Sequence, residues 1–187
     1  MEDNTTSQTR TLPNILICGT PGTGKSTLAQ SLQEHLGSSE YSYVNVGQIA
    51  SDHSCFDEWD EEYECHVLNE DLLLDEMEPM MHPGGNIVDY HGCEFFPERW
   101  FDLVVVLRCG TEALYDRLKS RGYSEKKLSS NLDSEIFQTI LEEAQSSYKA
   151  EIVLELQSNC SDDVQNNIET ISSFVQNWLL LKSSSPS

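Results

Sequence analysis

The sequence predicts an α/β fold in which a five-stranded parallel sheet is covered by helices on both faces. Three observations predict it. Short apolar runs alternate with segments of helical spacing along the chain. The apolar runs are nearly continuous rather than alternating with polar residues, which is typical of strands buried on both faces. A glycine-rich turn joins the first apolar run to the first helical segment, which gives the order strand, turn, helix.

The strands are expected where apolar residues cluster between turn residues. The first run, residues 14–18, has the sequence NILIC, and the third follows the turn Pro83-Gly84-Gly85. The predicted strands are residues 14–18, 43–46, 86–89, 102–107 and 152–156. The helices are expected between them, at residues 25–36, 47–51, 70–81, 111–121, 133–150 and 162–181. A single domain over residues 12–182 is expected, with disordered tails at 1–11 and 183–187.

Composition limits the class of protein and its partners. The chain has 187 residues and a formal net charge of −21. Such a surface repels phosphate backbones, so direct, non-specific nucleic-acid binding is not expected. It favours basic protein partners, or it serves solubility alone. No apolar run is long enough for a membrane span, and the polar start lacks a secretory signal, so an intracellular protein without membrane association is expected.

Residues 19–26, with the sequence GTPGTGKS, match the phosphate-binding pattern G-x-x-x-x-G-K-[ST] in full. Glycines let the backbone wrap closely around phosphates, and the N–H groups of the following helix favour an anion. Lys25 is expected to contact the β- and γ-phosphates of ATP and to act in catalysis. The Ser26 hydroxyl is expected to bind Mg²⁺, and Thr27 is placed for the α-phosphate. The chain is therefore predicted to have a P-loop NTPase fold.

Asp89 ends an apolar strand, where carboxylates that assist an ATP-bound metal are found. We expect it to hold Mg²⁺ with Ser26, directly or through water. His91, two residues further on, could orient a water molecule or a phosphate, or it could be an ordinary loop histidine.

Two arginines at helical spacing are candidates for stabilising the transferred phosphoryl group. Arg117 and Arg121 are four residues apart, so they share one helix face, and Gly122 then breaks the helix. This pattern suits a mobile lid that brings positive charge to the phosphates. A solvated basic helix end is the alternative.

With these features in place, the chain closely resembles the adenylate kinase isoenzyme 6 family, also called the coilin-interacting nuclear ATPase family. The resemblance extends from about Leu12 to Leu181. It rests on motifs spread along the chain: LPNIL at 12–16, GTPG at 19–22, YVNVG at 43–47, DEEY at 60–63, IVDYHG at 87–92, FFPERW at 95–100, VLR at 106–108 and RGY at 121–123.

The resemblance implies a nucleoside monophosphate kinase fold, with a monophosphate-binding insertion at about 45–68 and a lid at about 120–130. The ATP contacts that it implies are Gly22, Gly24, Lys25, Ser26, Thr27 and Arg121. It also implies broad-specificity kinase activity preferring AMP, ATPase activity, and a role in small ribosomal subunit (18S rRNA) maturation beside a basic small-subunit ribosomal protein. A monomer found in the nucleus and the cytoplasm is expected.

One region departs from that family pattern. There is no Lys or Arg between Lys25 and Arg99, and Ser51 stands where family members tend to have a basic residue. Residues 57–64, with the sequence DEWDEEYE, add six acids in eight positions. Like charges weaken capture of an AMP phosphate unless Arg99, Arg108 or backbone N–H groups compensate. Two hypotheses follow: a monophosphate kinase, and an ATP-switched assembly factor that binds a basic ribosomal protein through this acidic stretch.

Overall fold

The computed structural model describes residues 10–60 and 65–184 of the protein. The strands in this part are β1 (Ile15–Cys18), β2 (Ser42–Asn45), β3 (Phe56–Asp60), β4 (Cys65–Leu68), β5 (Asn86–Asp89), β6 (Leu103–Arg108) and β7 (Val153–Gln157). Five of them form a parallel sheet in the order β2-β5-β1-β6-β7, and β3 pairs with β4 in a separate antiparallel hairpin. The predicted fold class is confirmed, and each predicted sheet strand is within one residue of its observed bounds.

Seven α-helices surround the sheet in the described residues. They are α1 (Lys25–Leu36), α2 (Val46–Asp52), α3 (Glu70–Met81), α4 (Thr111–Ser120), α5 (Glu125–Ile136), α6 (Thr139–Ser147) and α7 (Ser161–Ser184). Three of them begin at side chains that cap their first turn, because Asn45, Asn69 and Ser124 accept hydrogen bonds from backbone N–H groups three residues on. None of these helices combines the length and the apolar composition that crossing a membrane requires.

The sheet is buried on both faces because successive residues of each strand point to opposite sides. Leu16 and Cys18 of β1 face one apolar cluster, which includes residues of α2, α3 and α6. Ile15 and Ile17 face a second cluster, built with α1 and α7. The continuous apolar runs of the sequence therefore correspond to strands covered from both sides, as predicted.

The prediction of one continuous helix at 133–150 is wrong. The structure has two helices, α5 and α6, separated at Phe137 and Gln138, and Gln138 has a left-handed φ of 58°. The break follows from packing. Leu132 packs against α4, whereas Leu141 packs against the main sheet, and one straight helix cannot bury both.

The segment predicted as an insertion, 45–68, contains α2 and the β3–β4 hairpin, and the hairpin was not predicted. The predicted lid, 120–130, contains the turn before α5 and the first half of that helix; motion of either segment stays a prediction. Ordered structure extends further than the predicted tails allow. Arg10 donates a hydrogen bond to Asp102, and α7 continues to Ser184. The remainder of both tails and residues 61–64 of the acidic stretch lie outside the described residues.

Candidate active site at the phosphate loop

The phosphate loop joins β1 to α1 at the carboxyl edge of the sheet. Two of its glycines are required because neighbouring residues lie too close to allow a side chain, and because of their backbone conformation. A Cβ on Gly19 would lie 2.5 Å from the Leu107 carbonyl oxygen, and a Cβ on Gly22 would lie 2.9 Å from a Leu114 methyl group. Both glycines have positive φ, 144° and 96°. The loop is therefore pressed against β6 and α4, with its N–H groups at the start of α1.

Lys25 lies at the first position of α1 and turns back over the loop. Its Nζ donates to the Thr20 carbonyl oxygen at 3.1 Å. Burial lowers the pKa of Lys25 from 10.5 to about 8, although the Asp89 carboxylate acts in the opposite direction; Arg121 adds to the lowering. Because burial outweighs the effect of the nearby carboxylate, an anionic phosphate would further stabilise the charged form of Lys25.

Ser26 and Asp89 meet as predicted. The Ser26 hydroxyl donates to Asp89 Oδ2 at 2.6 Å, and Asp89 is only 4% exposed. The meeting is a consequence of sheet topology, because β5 lies beside β1 with Asp89 opposite Ile17. A hydroxyl and a carboxylate oxygen at this spacing suit Mg²⁺, which prefers oxygen ligands and keeps several waters. The residues present therefore fit the metal of Mg·ATP.

Tyr43 belongs to the same group but was missed from the sequence. Its hydroxyl donates to Asp89 Oδ2 at 2.9 Å and accepts from Asn45 Nδ2 at 3.1 Å. Tyr43 lies on β2, two strands away from the phosphate loop. It begins the motif YVNVG at 43–47, but that motif assigns it no role. The only available signal was that a polar group at the end of a neighbouring parallel strand lies close to Asp89.

His91 lies in the loop after β5, with its ring 4.1 Å from the ring of Tyr90. Burial and the Lys25 ammonium lower the pKa of His91 below 6.5, against the opposing effect of Asp89. The ring is therefore neutral at neutral pH and can accept a proton or a hydrogen bond. Its role in orienting water or phosphate stays a prediction.

The two helix arginines are placed differently. Arg117 donates to the carbonyl oxygens of Ser158 at 2.8 Å, Asn159 at 2.9 Å and Gly22 at 3.4 Å. It joins the phosphate loop to the segment after β7, and its predicted catalytic role stays untested. Arg121 is the C-cap residue of α4 and lies close enough to Lys25 to lower the pKa of Lys25. Arg121 is therefore the better placed of the two to contact phosphates.

Two cavities flank the phosphate loop. The first, called the loop cavity, has a volume of about 400 Å³. Its lining includes Lys25, Ser26, Asp89, His91 and Arg121. The facing wall, from the end of β2, α2 and the hairpin, carries apolar groups, an amide and the His66 imidazole. The second, called the side cavity, has a volume of about 230 Å³ and is lined by Gly22, Gly24, Thr27, Arg117, Arg121 and the start of α7. A larger cavity of about 640 Å³, beside Phe101 and Trp178, contains none of the residues predicted for the ATP and metal sites, although Arg99 lines it.

The other two arginines considered for phosphate binding are engaged elsewhere. Arg99 pairs with Glu78 at 2.8 Å, and Arg108 pairs with Glu135 at 2.7 Å. Neither lines the loop cavity. Of the charged groups that do line it, Lys25 and Arg121 are the cations among the described residues. Compensation by Arg99 or Arg108 for the missing basic residues of the insertion is therefore not observed.

The fold and this loop define the chain as a P-loop kinase, and comparisons with known proteins agree. Residues 15–138 match the sequence family described as an AAA domain. Solved structures with the same fold include shikimate kinase from Acinetobacter baumannii, with a TM-score of 0.59 and 19% identity over 95% of this chain and 97% of that one. A gluconokinase from Sinorhizobium meliloti has a TM-score of 0.57 at 15% identity, covering 94% and 99%. These similarities show the fold alone.

Curated relatives are much more similar in sequence. An adenylate kinase isoenzyme 6 homolog of Caenorhabditis elegans is 52% identical over 89% of this chain and 91% of its own length. The homolog of Dictyostelium discoideum is 49% identical over 90% and 95%. The chain belongs to the adenylate kinase isoenzyme 6 family, as the sequence motifs indicated. It is therefore a phosphotransferase or ATPase that uses ATP.

Proposed function

We propose that this chain transfers the γ-phosphoryl group of Mg·ATP to AMP or a similar nucleoside monophosphate, and hydrolyses ATP when water takes the acceptor place. The observation that supports it best is the convergence of Lys25, Ser26, Asp89 and Arg121 on one cavity. These groups supply the positive charge and the metal-side oxygens that phosphoryl transfer requires. Nothing in the cavity needs to form a covalent intermediate.

Each residue then has a separate task. Lys25 and Arg121 neutralise charge on the transferred group, while Ser26 and Asp89 would hold Mg²⁺, which supplies further charge neutralisation when bound. Tyr43 fixes the Asp89 carboxylate. An oxygen of the acceptor bonds to the γ-phosphorus as the bond to the β–γ bridging oxygen breaks, and ADP leaves. A phosphate acceptor is already anionic, so its attack needs no base, whereas with water as the acceptor His91 would take the proton.

The two cavities give the donor and the acceptor separate places. The side cavity lies beside Gly24 and Thr27, so it fits the nucleoside of ATP while the triphosphate follows the loop. The far wall of the loop cavity, with Asn45, Phe56 and Leu68, is left for the acceptor. Its apolar and amide groups suit a base and a ribose, and the His66 imidazole of the same wall can donate a hydrogen bond.

The acceptor wall indicates weak binding of the monophosphate. No Lys or Arg occurs between residues 26 and 98, so neither α2 nor the hairpin contributes an ammonium or a guanidinium group. An AMP phosphate must therefore share Lys25 and Arg121 with ATP, or rely on amide donors and the His66 imidazole. We expect AMP to be an acceptor of low affinity, with ATP hydrolysis as a substantial competing reaction.

A second candidate function is an ATP-switched assembly factor in small ribosomal subunit maturation, active in nucleus and cytoplasm. The net charge of −21 and the acidic residues at 57–64 favour a basic partner such as a small-subunit ribosomal protein. In this function a monomeric chain would load or release that protein as ATP is bound and hydrolysed. Binding that persists only at low salt, and is lost when the acids are replaced by amides, would support it.

Product counting separates the two functions. ATP turnover is followed with and without AMP, and ADP is compared with free phosphate. Two ADP for each ATP and AMP consumed supports the kinase. Phosphate release that ignores AMP, and rises with a basic ribosomal protein, supports the assembly factor instead. Absence of both activities in wild-type protein that binds Mg·ATP would contradict the proposed function.

A further inference from the structure

A buried carboxylate of α5 contacts the phosphate loop. Glu135 lies one residue before the end of α5 and is 4% exposed. Its Oε2 accepts from the Thr20 hydroxyl at 2.5 Å. Its Oε1 accepts from Arg108 Nε at 2.7 Å and from the Cys109 N–H at 3.0 Å. Both oxygens are thus hydrogen-bonded, and the paired guanidinium compensates the buried charge.

Thr20 connects this carboxylate to Lys25. Thr20 is 1% exposed, and its carbonyl oxygen accepts from Lys25 Nζ at 3.1 Å and from Thr23 N at 3.2 Å. The hydroxyl of one residue is therefore held by α5, while its carbonyl holds the lysine that contacts phosphate. A small displacement of Thr20 would move the resting place of the Lys25 ammonium.

The helix that carries Glu135 is suited to move as a unit. Irregular backbone brackets it, with Gly122 at φ 74° before it and Gln138 at φ 58° after it. Leu128 and Leu132 of α5 pack against Leu114 and Leu118 of α4, and the same α4 leucines lie under Gly22. Arg121, which lines the loop cavity, lies just before α5. The position of α5 is therefore connected to the loop through packing and through Glu135.

We propose that Glu135 is a positioning residue, which couples the lid helix α5 to the phosphate loop by holding the Thr20 hydroxyl. It does not touch the reacting atoms; it fixes Thr20, and through Thr20 the place of Lys25. This role rests on the proposed function to the extent that it is measured through ATP turnover. Its expected signature is a loss in kcat with little change in KM, because phosphate alignment rather than nucleotide contact is disturbed.

The matched pair Thr20→Val and Thr20→Ser tests the hydrogen bond itself. Valine keeps the shape and removes the donor, whereas serine keeps the donor. We expect Thr20→Val to lower kcat by about tenfold with KM for ATP within about twofold, and Thr20→Ser, which keeps the donor, to recover most of that loss. Equal loss in both variants would show that packing matters and not the bond. Wild-type kcat in folded Thr20→Val would overturn the proposal.

Glu135→Gln tests the same hydrogen bond from the side of the acceptor. The amide keeps an oxygen for Arg108 and Cys109, but its NH₂ cannot accept from Thr20, so a similar fall in kcat is expected. The double variant should be no worse than the worse single variant, because both changes remove one interaction. Multiplicative losses would contradict the coupling. If Thr20→Val does not fold, Glu135→Gln decides alone: an unchanged kcat overturns the proposal.

Hydrogen exchange keeps this test separate from the proposed function. Addition of Mg·ATP should change the protection of α5 amides in wild type, and this response should be reduced in Thr20→Val and kept in Thr20→Ser. The measurement needs binding and not turnover. A wild type that binds ATP without turning it over would contradict the proposed function alone, whereas an equal α5 response in all three proteins would contradict the coupling alone.

Discussion

The two sides of the loop cavity are built on different principles. The donor side holds Lys25, Ser26, Asp89 and Arg121, with Tyr43 bonded to the metal-side carboxylate. The acceptor side, from the end of β2, α2 and the hairpin, offers amide and apolar groups and the His66 imidazole, but no Lys or Arg. The comparison teaches that the charge for phosphoryl transfer is concentrated where ATP binds. Under the proposed function, the acceptor would be selected by shape and hydrogen bonds, and its phosphate would be bound weakly.

The largest effect should come from the donor side. Lys25→Ala removes the cation over the loop, and ATP turnover should fall by about 10³-fold with the fold retained, because the loop backbone is held by β6 and α4. Steady-state ATP consumption and thermal unfolding measure the two quantities. Lys119→Ala, an exposed cation on α4, is the matched control and should have wild-type activity. Turnover within a few-fold of wild type in Lys25→Ala would break the donor side of the comparison.

The metal-side carboxylate should be the next largest contribution. Asp89→Asn keeps the size and the contact with Ser26 but removes the charge, so kcat should fall by about 10²-fold and the Mg²⁺ concentration for half-maximal activity should rise. Magnesium titrations of turnover test this. Tyr43→Phe, which only releases the carboxylate, should cost no more than a few-fold. If both variants were equally impaired, positioning and not charge would be the main contribution of Asp89.

A pH dependence of ATP affinity should identify the state of Lys25. Its pKa is about 8 in the free protein, and bound phosphates should raise it toward its ordinary 10.5. The contribution of the ammonium to binding is then complete below pH 8 and is lost as pH rises through the bound-state pKa. Affinity should fall roughly tenfold between pH 7.5 and pH 9.0, with proton uptake on binding.

Calorimetry in buffers of different ionisation enthalpy measures that uptake. Lys25→Arg supplies the control, because a guanidinium stays charged throughout this pH range. The affinity of this variant for ATP should therefore not change with pH. A wild-type affinity that is equally level would mean that Lys25 keeps an ordinary pKa in the free protein.

The donor side could be predicted from the sequence because its motif has fixed local spacing. Lys25 and Ser26 follow from the loop pattern, and Asp89 follows from a strand end beside it. Tyr43 and Glu135 could not be found in this way. Their contacts join residues 46 and 115 positions apart, and they depend on the order of the strands and on the path of α5.

Errors in the fold have similar physical causes. The break at Gln138 could not be predicted, because the apolar pattern continues across this position. The break is required only because the residues before and after it pack against different partners. The β3–β4 hairpin was missed because Asp57 and the acids after it lack the alternation of a half-buried strand. Local chemistry was therefore predictable, whereas long-range packing was not.

The most direct test of the central claim is an AMP titration of wild type and Ser51→Arg. Ser51 is exposed on α2 and shares a helix face with Gly47, which lines the loop cavity. A guanidinium there would supply the acceptor side with a cation, and Ser51→Gln controls for side-chain length. We predict a KM for AMP about tenfold lower in Ser51→Arg alone, with KM for ATP unchanged and less free phosphate per ADP. Tight AMP binding in wild type, unaltered by Ser51→Arg, would contradict it.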